Sequence, residues 1–323
     1  MILILTLNPL LERRFYYNQI SLEQVNRNAK VIYQAGGKGL NVSRQLKKLG
    51  IVSHNIIFSG GQNGKKLREL IRNEELLFTS IHIEEETRHA AIIISEADKK
   101  LFSFFSSNPF ISEKEVEEMK STLKKTLPNC EMIVISGSAP NEAAERIVEF
   151  AISEANRLDK ISFCDYYGNN LENVFNLSPT IIHNNFEEIE NHLNVNLRDE
   201  ETALVFLKSI YDKGIKRVYL TDGANSFYAQ NFDYVYKVFP PAIDAVDSTG
   251  SGDAFVSGLI YTLKENEVFE QSLKYSTALA AENSKSFEVC SVEKNSFENL
   301  FDNVSVEPIG KKIKLIDDTA TSH

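Results

Sequence analysis

The chain is poor in the residues that staple a protein or anchor it to a surface. It holds three cysteines, Cys130, Cys164 and Cys290, an odd number, far apart and outside any CxxC pattern. That spacing excludes a disulfide framework and a cysteine metal site, so reduced core thiols are expected. No apolar run is long enough for a membrane span. The opening MILILTLNPL is too short and lacks a preceding basic segment, so it is read as a buried first strand. Positive charge is also scarce, with 35 Lys and Arg against 45 Asp and Glu for a net charge of -10. This argues against a general nucleic-acid or membrane surface and leaves room for a local basic pocket. The six histidines show no HExxH-like spacing, and no GxxxxGK[ST] motif occurs. Glycosylation triplets at Asn41, Asn176 and Asn303 are read as chance in a chain without a secretion signal, and a cytoplasmic location is expected.

What is present suits a soluble globular protein: 323 residues, 42% hydrophobic and 25% charged. This length fits one large α/β domain with a small appendage, although length alone also allows two. Strand patterns fall at Ile2–Thr6, Glu131–Ser136, Lys160–Cys164, Thr180–Ile182 and Arg217–Thr221. Amphipathic stretches fall at Asn41–Leu49, Glu113–Thr126, Glu142–Arg157 and Thr202–Asp212. Continuous apolar strands alternating with such helices predict a parallel sheet covered on both faces. Its active site would lie at the carboxyl ends of the strands, near Asn8, Ser136 and Asp165. Two segments break the alternation, Phe15–Gln34 and a hairpin over His89–Phe105 turning at Glu96–Lys99. They form either a small projecting sheet or an edge of the main one. The tail from Val304 reads as a solvated extension with a terminal strand around Ile313–Ile316.

The strongest local signal is DSTGSGDAFVSGLIYTL, from Asp247. Gly250 and Gly252 permit a tight turn that approaches an anion closely, and Asp253 opens a helix with an apolar face of Phe255, Val256, Leu259, Ile260 and Leu263. Unpaired N–H groups at a helix start favour a phosphate, whereas Asp253 as a plain N-cap is the competing reading. A second glycine-rich loop, AGGKGLNVSRQLKKLG from Ala35, feeds a helix that Gly50 terminates. Its Lys38 is either an anion ligand or a solvated loop lysine.

Together the two motifs resemble the PfkB (ribokinase-like) family of carbohydrate kinases. GGKGLNV at Gly36–Val42 is similar to the family's first signature and DSTGSGDAFVSG at Asp247–Gly258 to its second. TLNPLLE stands at the start, and FSGGQNG, ETRHA, ISGSAP and LTDGAN run between the two signatures in the family's order, so the resemblance spans nearly the whole chain. TLNP, the VNR of Val25–Arg27, GGKG and Thr87–Arg88 resemble the 1-phosphofructokinase and tagatose-6-phosphate kinase branch. The resemblance implies an α/β ribokinase-like fold: a central, mostly parallel sheet with helices on both faces plus a small projecting β-sheet lid. It implies one kinase domain over 1–323 with lid segments at about 12–35 and 88–107, and a homodimer through the lid in which Arg27 reaches the partner's site.

The same resemblance implies ATP-dependent phosphorylation of a ketohexose phosphate, with Mg²⁺. Asp253 would be the general base, and the N–H groups of Gly250, Ser251, Gly252 and Asp253 an anion hole. Glu12, Gly37, Lys38, Asn41 and Arg88 would bind the sugar phosphate, with Lys38 and Arg88 as its cationic donors, a solvated surface salt bridge being the competing reading of Arg88. Asn185 and Glu188 would organise Mg²⁺ and phosphates, Glu188 through water, with simple helix-capping and surface residues as their competing reading, and Thr221, Gly223 and Asn283 would line the nucleotide pocket. A monovalent cation is common among ribokinase-like enzymes, but no ligands for one are evident here. Three departures bear on the substrate: Glu12 stands where the branch has Asp, His183-Asn184-Asn185 stands for Lys-Pro-Asn, and Ser226 replaces a frequent glycine. Two other readings stay open, a kinase of an unphosphorylated sugar or nucleoside and a non-catalytic sugar-phosphate or nucleotide sensor.

Overall fold

The computed structural model describes residues 1–309. In chain order the first strands are β1 (Ile2–Thr6), β2 (Leu10–Tyr17), β3 (Lys30–Gly36), β4 (Ser53–Ser59), β5 (Leu77–His82), β6 (His89–Ser95) and β7 (Lys100–Phe105). The remainder are β8 (Met132–Gly137), β9 (Ile161–Tyr166), β10 (Ile181–Asn185), β11 (Arg217–Thr221), β12 (Phe227–Asn231), β13 (Tyr234–Phe239) and β14 (Ser305–Ile309). The helices are α1 (Lys38–Lys48), α2 (Gly61–Asn73), α3 (Glu113–Thr126), α4 (Glu142–Arg157) and α5 (Leu171–Asn176), then α6 (Phe186–Leu193), α7 (Glu200–Asp212), α8 (Ser251–Lys264), α9 (Phe269–Asn283) and α10 (Glu298–Phe301).

Ten strands make one sheet in the order β14-β13-β12-β11-β10-β9-β8-β1-β4-β5. From β11 to β5 all neighbours are parallel, and β12 to β14 complete the edge antiparallel. The apolar run Ile2 to Leu5 of β1 explains the layering. Leu3 and Leu5 enter a core shared with α3 to α7, while Ile2 and Ile4 enter another shared with α1, α8, α9 and α10. Side chains alternate across a strand, so a sheet buried on both faces reads as a continuous hydrophobic run. Helix α3 begins at a capping box, in which Ser112 accepts from the Glu115 N–H and Glu115 accepts from the Ser112 N–H.

The four remaining strands form a separate sheet in the order β3-β2-β6-β7. The His89–Phe105 hairpin thus belongs to a second small sheet and not to an edge of the main one. The tail departs from expectation. Ser305–Ile309 is an edge strand paired with β13 and not a solvated extension, because Val306 can pack on the core that also holds Val304. The strand expected around Ile313–Ile316 lies outside the described residues.

Helices α8 and α9 pack closely at Gly258. A Cβ built there would lie 2.8 Å from Ser276 Cα, a backbone atom that cannot step aside. Alanine would gain up to ~1 kcal/mol of helix propensity, yet overpacking costs about 1–3 kcal/mol. Gly258→Ala is therefore expected to lower unfolding free energy by about 1–2 kcal/mol in urea denaturation; an unchanged or raised midpoint would contradict this packing.

Candidate active site

The carboxyl ends of the parallel strands, the starts of α1 and α8 and the inner face of the small sheet enclose a cavity of about 690 Å³. Glu12, Gly37, Lys38, Asn41, Arg88, Asn185, Thr221, Gly223 and Gly250 to Asp253 all line it. Residues from two ends of the sequence thus face one space.

Helix α8 begins two residues earlier than the sequence suggests. Gly250 is its N-cap, at φ 77°, a left-handed conformation natural to glycine, and a Cβ there would strike Val289. Asp253 is consequently the third helical residue and makes no capping bond. That disposes of the plain N-cap reading. Its buried carboxylate instead accepts a 2.8 Å hydrogen bond from Asn41 Nδ2. Arg44 fixes the orientation of that amide by donating to Asn41 Oδ1 at 2.8 Å. Of the loop N–H groups, that of Ser251 donates to Ser248 O. Those of Gly250, Gly252 and Asp253 have no protein acceptor among the described residues, which leaves them free for an anion.

Lys38, the first residue of α1, donates to Glu188 Oε1 at 2.8 Å and to Asp165 Oδ1 at 3.4 Å. Its ammonium also lies 4.8 Å from the Tyr167 ring centre. Burial opposes its charge, but Asp165, Glu188 and Asp253 outweigh that and hold the ammonium well above its ordinary value. Asp165 is 1% exposed; burial again opposes ionisation, and Lys38 and His183 overcome it, so it titrates below the ordinary range. Asp253 moves the other way, pushed up to about 7 by burial against the field of Lys38, with Asp165 adding repulsion. Two neighbouring carboxylates are thereby driven apart in acidity. A carboxylate poised near neutrality can take a proton from a hydroxyl.

Arg88 is placed differently from Lys38. It donates to Asn8 O at 2.7 Å and Asn108 Oδ1 at 3.3 Å, and its buried Nε has no partner. No carboxylate lies within ion-pair distance of it among the described residues, which removes the surface salt-bridge alternative. Lys38 is matched by two carboxylates and Arg88 by none, so Arg88 is the unmatched cation of the cavity. The adjacent His89 is exposed and outside the lining.

Asn185 and Glu188 form a reciprocal capping box on α6, with Glu188 N–H donating to Asn185 Oδ1 at 2.7 Å and Asn185 N–H to Glu188 Oε2 at 3.1 Å. Asn283 was expected in a nucleotide pocket, yet it lies outside the lining and braces the phosphate-type loop from behind. Its Nδ2 donates to Thr249 O at 2.9 Å and Ser251 Oγ at 3.2 Å, and its Oδ1 accepts from Cys290 N–H at 2.7 Å. Sequence reasoning named Ser136, Asp165 and Thr221 separately but did not join them with His183 into one polar row, buried except at the half-buried Thr221. Ser136 Oγ donates to Asp165 Oδ2 at 2.7 Å, His183 Nδ1 lies 2.9 Å from Asp165 Oδ1, and His183 Nε2 lies 3.2 Å from Thr221 Oγ1. The available signal was polar residues closing four successive apolar strands.

Comparison with known proteins agrees with this geometry. The model of the pfkB family of carbohydrate kinases matches residues 10–294. The chain is 29% identical over 310 residues to a tagatose-6-phosphate kinase of Staphylococcus epidermidis, covering 95% of this chain and 99% of that protein. It is 29% identical over 280 residues to a 1-phosphofructokinase of Borreliella burgdorferi, covering 86% and 90%. Among solved structures, a possible 1-phosphofructokinase from Thermotoga maritima superposes with a TM-score of 0.85 at 24% identity, covering 96% and 99%. Phosphofructokinase-2 from Escherichia coli, in complex with substrates and products, gives 0.82 at 21%, covering 93% and 98%.

The acidity of Asp253 has a measurable consequence for stability. Its folded value is raised above its unfolded one, so the protonated form favours folding. This contribution is complete below about pH 4 and is lost as pH rises through about 7. Asp253→Asn lacks it. The unfolding free energy of the wild type relative to that variant is expected to fall between about pH 4 and pH 8 in paired urea titrations; a pH-independent difference would refute the assignment.

Proposed function

Because the chain belongs to the pfkB family of carbohydrate kinases, we propose that it transfers a phosphoryl group from ATP to a ketohexose phosphate. Its relatives named for tagatose 6-phosphate and 1-phosphofructokinase activity support an acceptor that already bears a phosphate. The observation that carries this reading is the unmatched Arg88 guanidinium in the same cavity as the proton-accepting Asp253. A phosphosugar supplies the anion that Arg88 lacks. An unphosphorylated sugar leaves that cation uncompensated, and a pure sensor has no use for a carboxylate poised near neutrality.

The roles follow from position. The acceptor hydroxyl oxygen bonds to the γ-phosphorus as the bond from that phosphorus to the ADP oxygen breaks, and the hydroxyl proton passes to Asp253. The free N–H groups of Gly250, Gly252 and Asp253 stabilise the charge on the transferred group. Glu12 and Asn41 hold sugar hydroxyls, Gly37 lets the backbone close on the sugar, and Arg88 holds its phosphate. Thr221 and Gly223 border the nucleotide, with Asn283 supporting its loop. Mg²⁺, when bound, neutralises phosphate charge. Glu188 would act on such an ion only through water, since it lies outside the cavity lining and its Oε1 receives Lys38 while Oε2 receives Asn184 at 3.3 Å and the Asn185 N–H.

We read 1–323 as one kinase unit with a lid at about 12–35 and 88–107, and a homodimer formed lid to lid. Register places Phe15 opposite Val31, Arg13 opposite Tyr33 and Ala91 opposite Phe104, so these side chains share one face of the small sheet. Val31, Tyr33 and Phe104 are 40%, 39% and 61% exposed there, an apolar surface suited to a second copy. Light scattering is expected to give twice the chain mass, and Phe104→Asp to shift it toward monomer. A wild-type monomer would end this part of the proposal.

A coupled ADP-release assay over free sugars, nucleosides and hexose phosphates tests the main reading. Turnover is expected with one or more of fructose 1-phosphate, fructose 6-phosphate and tagatose 6-phosphate. Turnover on free sugars alone would reject the phosphosugar reading. Asp253→Asn should lose about 10²–10⁴-fold in turnover. Arg88→Ala should raise the sugar-phosphate KM by about tenfold or more with little change for ATP.

A further inference from the structure

Arg14 on β2 is the bulkiest fully buried side chain among the described residues, at 1% exposure. Its Nη1 donates to Glu12 Oε2 at 2.9 Å and its Nη2 to Phe287 O at 2.8 Å, while its buried Nε has no partner. A buried, incompletely satisfied guanidinium is weak as a stabilising device, since an apolar side chain of similar volume commonly does as well. Its use must therefore lie in what it connects.

Two of its partners lead to the reaction; the third, Tyr16, packs on the small sheet's own apolar cluster. Glu12 lines the cavity, and its second carboxylate oxygen has no protein partner among the described residues, which leaves it for a hydroxyl. Gly36 makes this possible, because a Cβ there would lie 2.5 Å from Glu12 Oε1. Phe287 follows α9 and packs its ring against the small sheet's Leu10, Ala90, Ile92 and Ile94. Three residues on, Cys290 Sγ donates to Gly250 O at 3.3 Å, and the neighbouring Val289 abuts Gly250. The segment 287–290 thus touches the lid at one end and the phosphoryl loop at the other.

We propose that Arg14 is a positioning residue for the acceptor sugar. By fixing the Glu12 carboxylate and tying it to Phe287, it keeps a sugar bound under the lid in register with the Gly250–Asp253 loop. The inference rests on the phosphosugar-kinase reading and adds to it a determinant that never touches substrate. Loss of Arg14 leaves Glu12 a buried, unpaired carboxylate free to turn.

The test is steady-state kinetics of the full-length wild type, Arg14→Met and Arg14→Lys, with each substrate varied at saturation of the other. Arg14→Met is expected to raise the hexose-phosphate KM about tenfold or more while the ATP KM stays within about twofold. Arg14→Lys should fall between, because an ammonium keeps the charge but has a single nitrogen in place of the two that reach Glu12 and Phe287. A merely structural arginine would lower the amount of active enzyme and leave the sugar KM alone; that result in either folded variant overturns the proposal. Should Arg14→Met fail to fold, Arg14→Lys decides alone. A wild type active on hexose phosphates beside variants of unchanged KM rejects only this inference, whereas an inactive wild type rejects the functional reading and the inference with it.

Discussion

The ammonium of Lys38 is the charge around which the cleft is arranged. It is drawn to Glu188 and Asp165 by hydrogen bonds and to Asp253 by field alone. Three buried or half-buried acids so close together could not all ionise without it. Unequal sharing sets their division of labour. Asp165, bonded to Lys38, Ser136 and His183, keeps its charge, whereas Asp253 receives one neutral amide and stays near neutrality. The proton-accepting character of Asp253 is therefore a property of the group of acids and of their one shared cation.

That arrangement depends on backbone as much as on charge. Gly250 lets α8 start beneath the cavity, Asn283 and Cys290 hold the loop from behind, and Arg44 aims the Asn41 amide at Asp253. Residues 35–44 thus supply the lysine, the orienting amide and the arginine that fixes it. This is the physical sense in which the two glycine-rich motifs form one site although they are far apart in sequence.

Much of this was legible beforehand. The strands Ile2–Thr6 and Arg217–Thr221 and the helices Glu113–Thr126 and Glu142–Arg157 match their expected limits, because their apolar periods are uninterrupted. The start of α8 was misplaced because Ser251 and Gly252 are weak helix formers; here the site, not propensity, sets the helix end. Asp165 could not be weighted correctly, since its role needs His183 and Lys38 brought from distant elements. Arg14 was silent for a related reason: an arginine in a β pattern reads as solvent-facing, and the Phe287 carbonyl that receives it comes from a distant segment. Asn283 shows the converse, a residue expected in the nucleotide pocket whose side chain bonds to the back of the loop instead.

The small sheet carries a consequence for the order of folding. Its central pair, β2 and β6, is parallel, and closing it requires all of residues 18–88 to be in place, with α1, β4, α2 and β5 between them. Loop-closure entropy makes such non-local pairing slow and late. The pairing of β1 with β8 spans more chain still, from Ile2 to Met132, so both sheets wait on long closures. The cavity lies between two sheets that each need distant segments joined, and so it is complete only when the whole fold is.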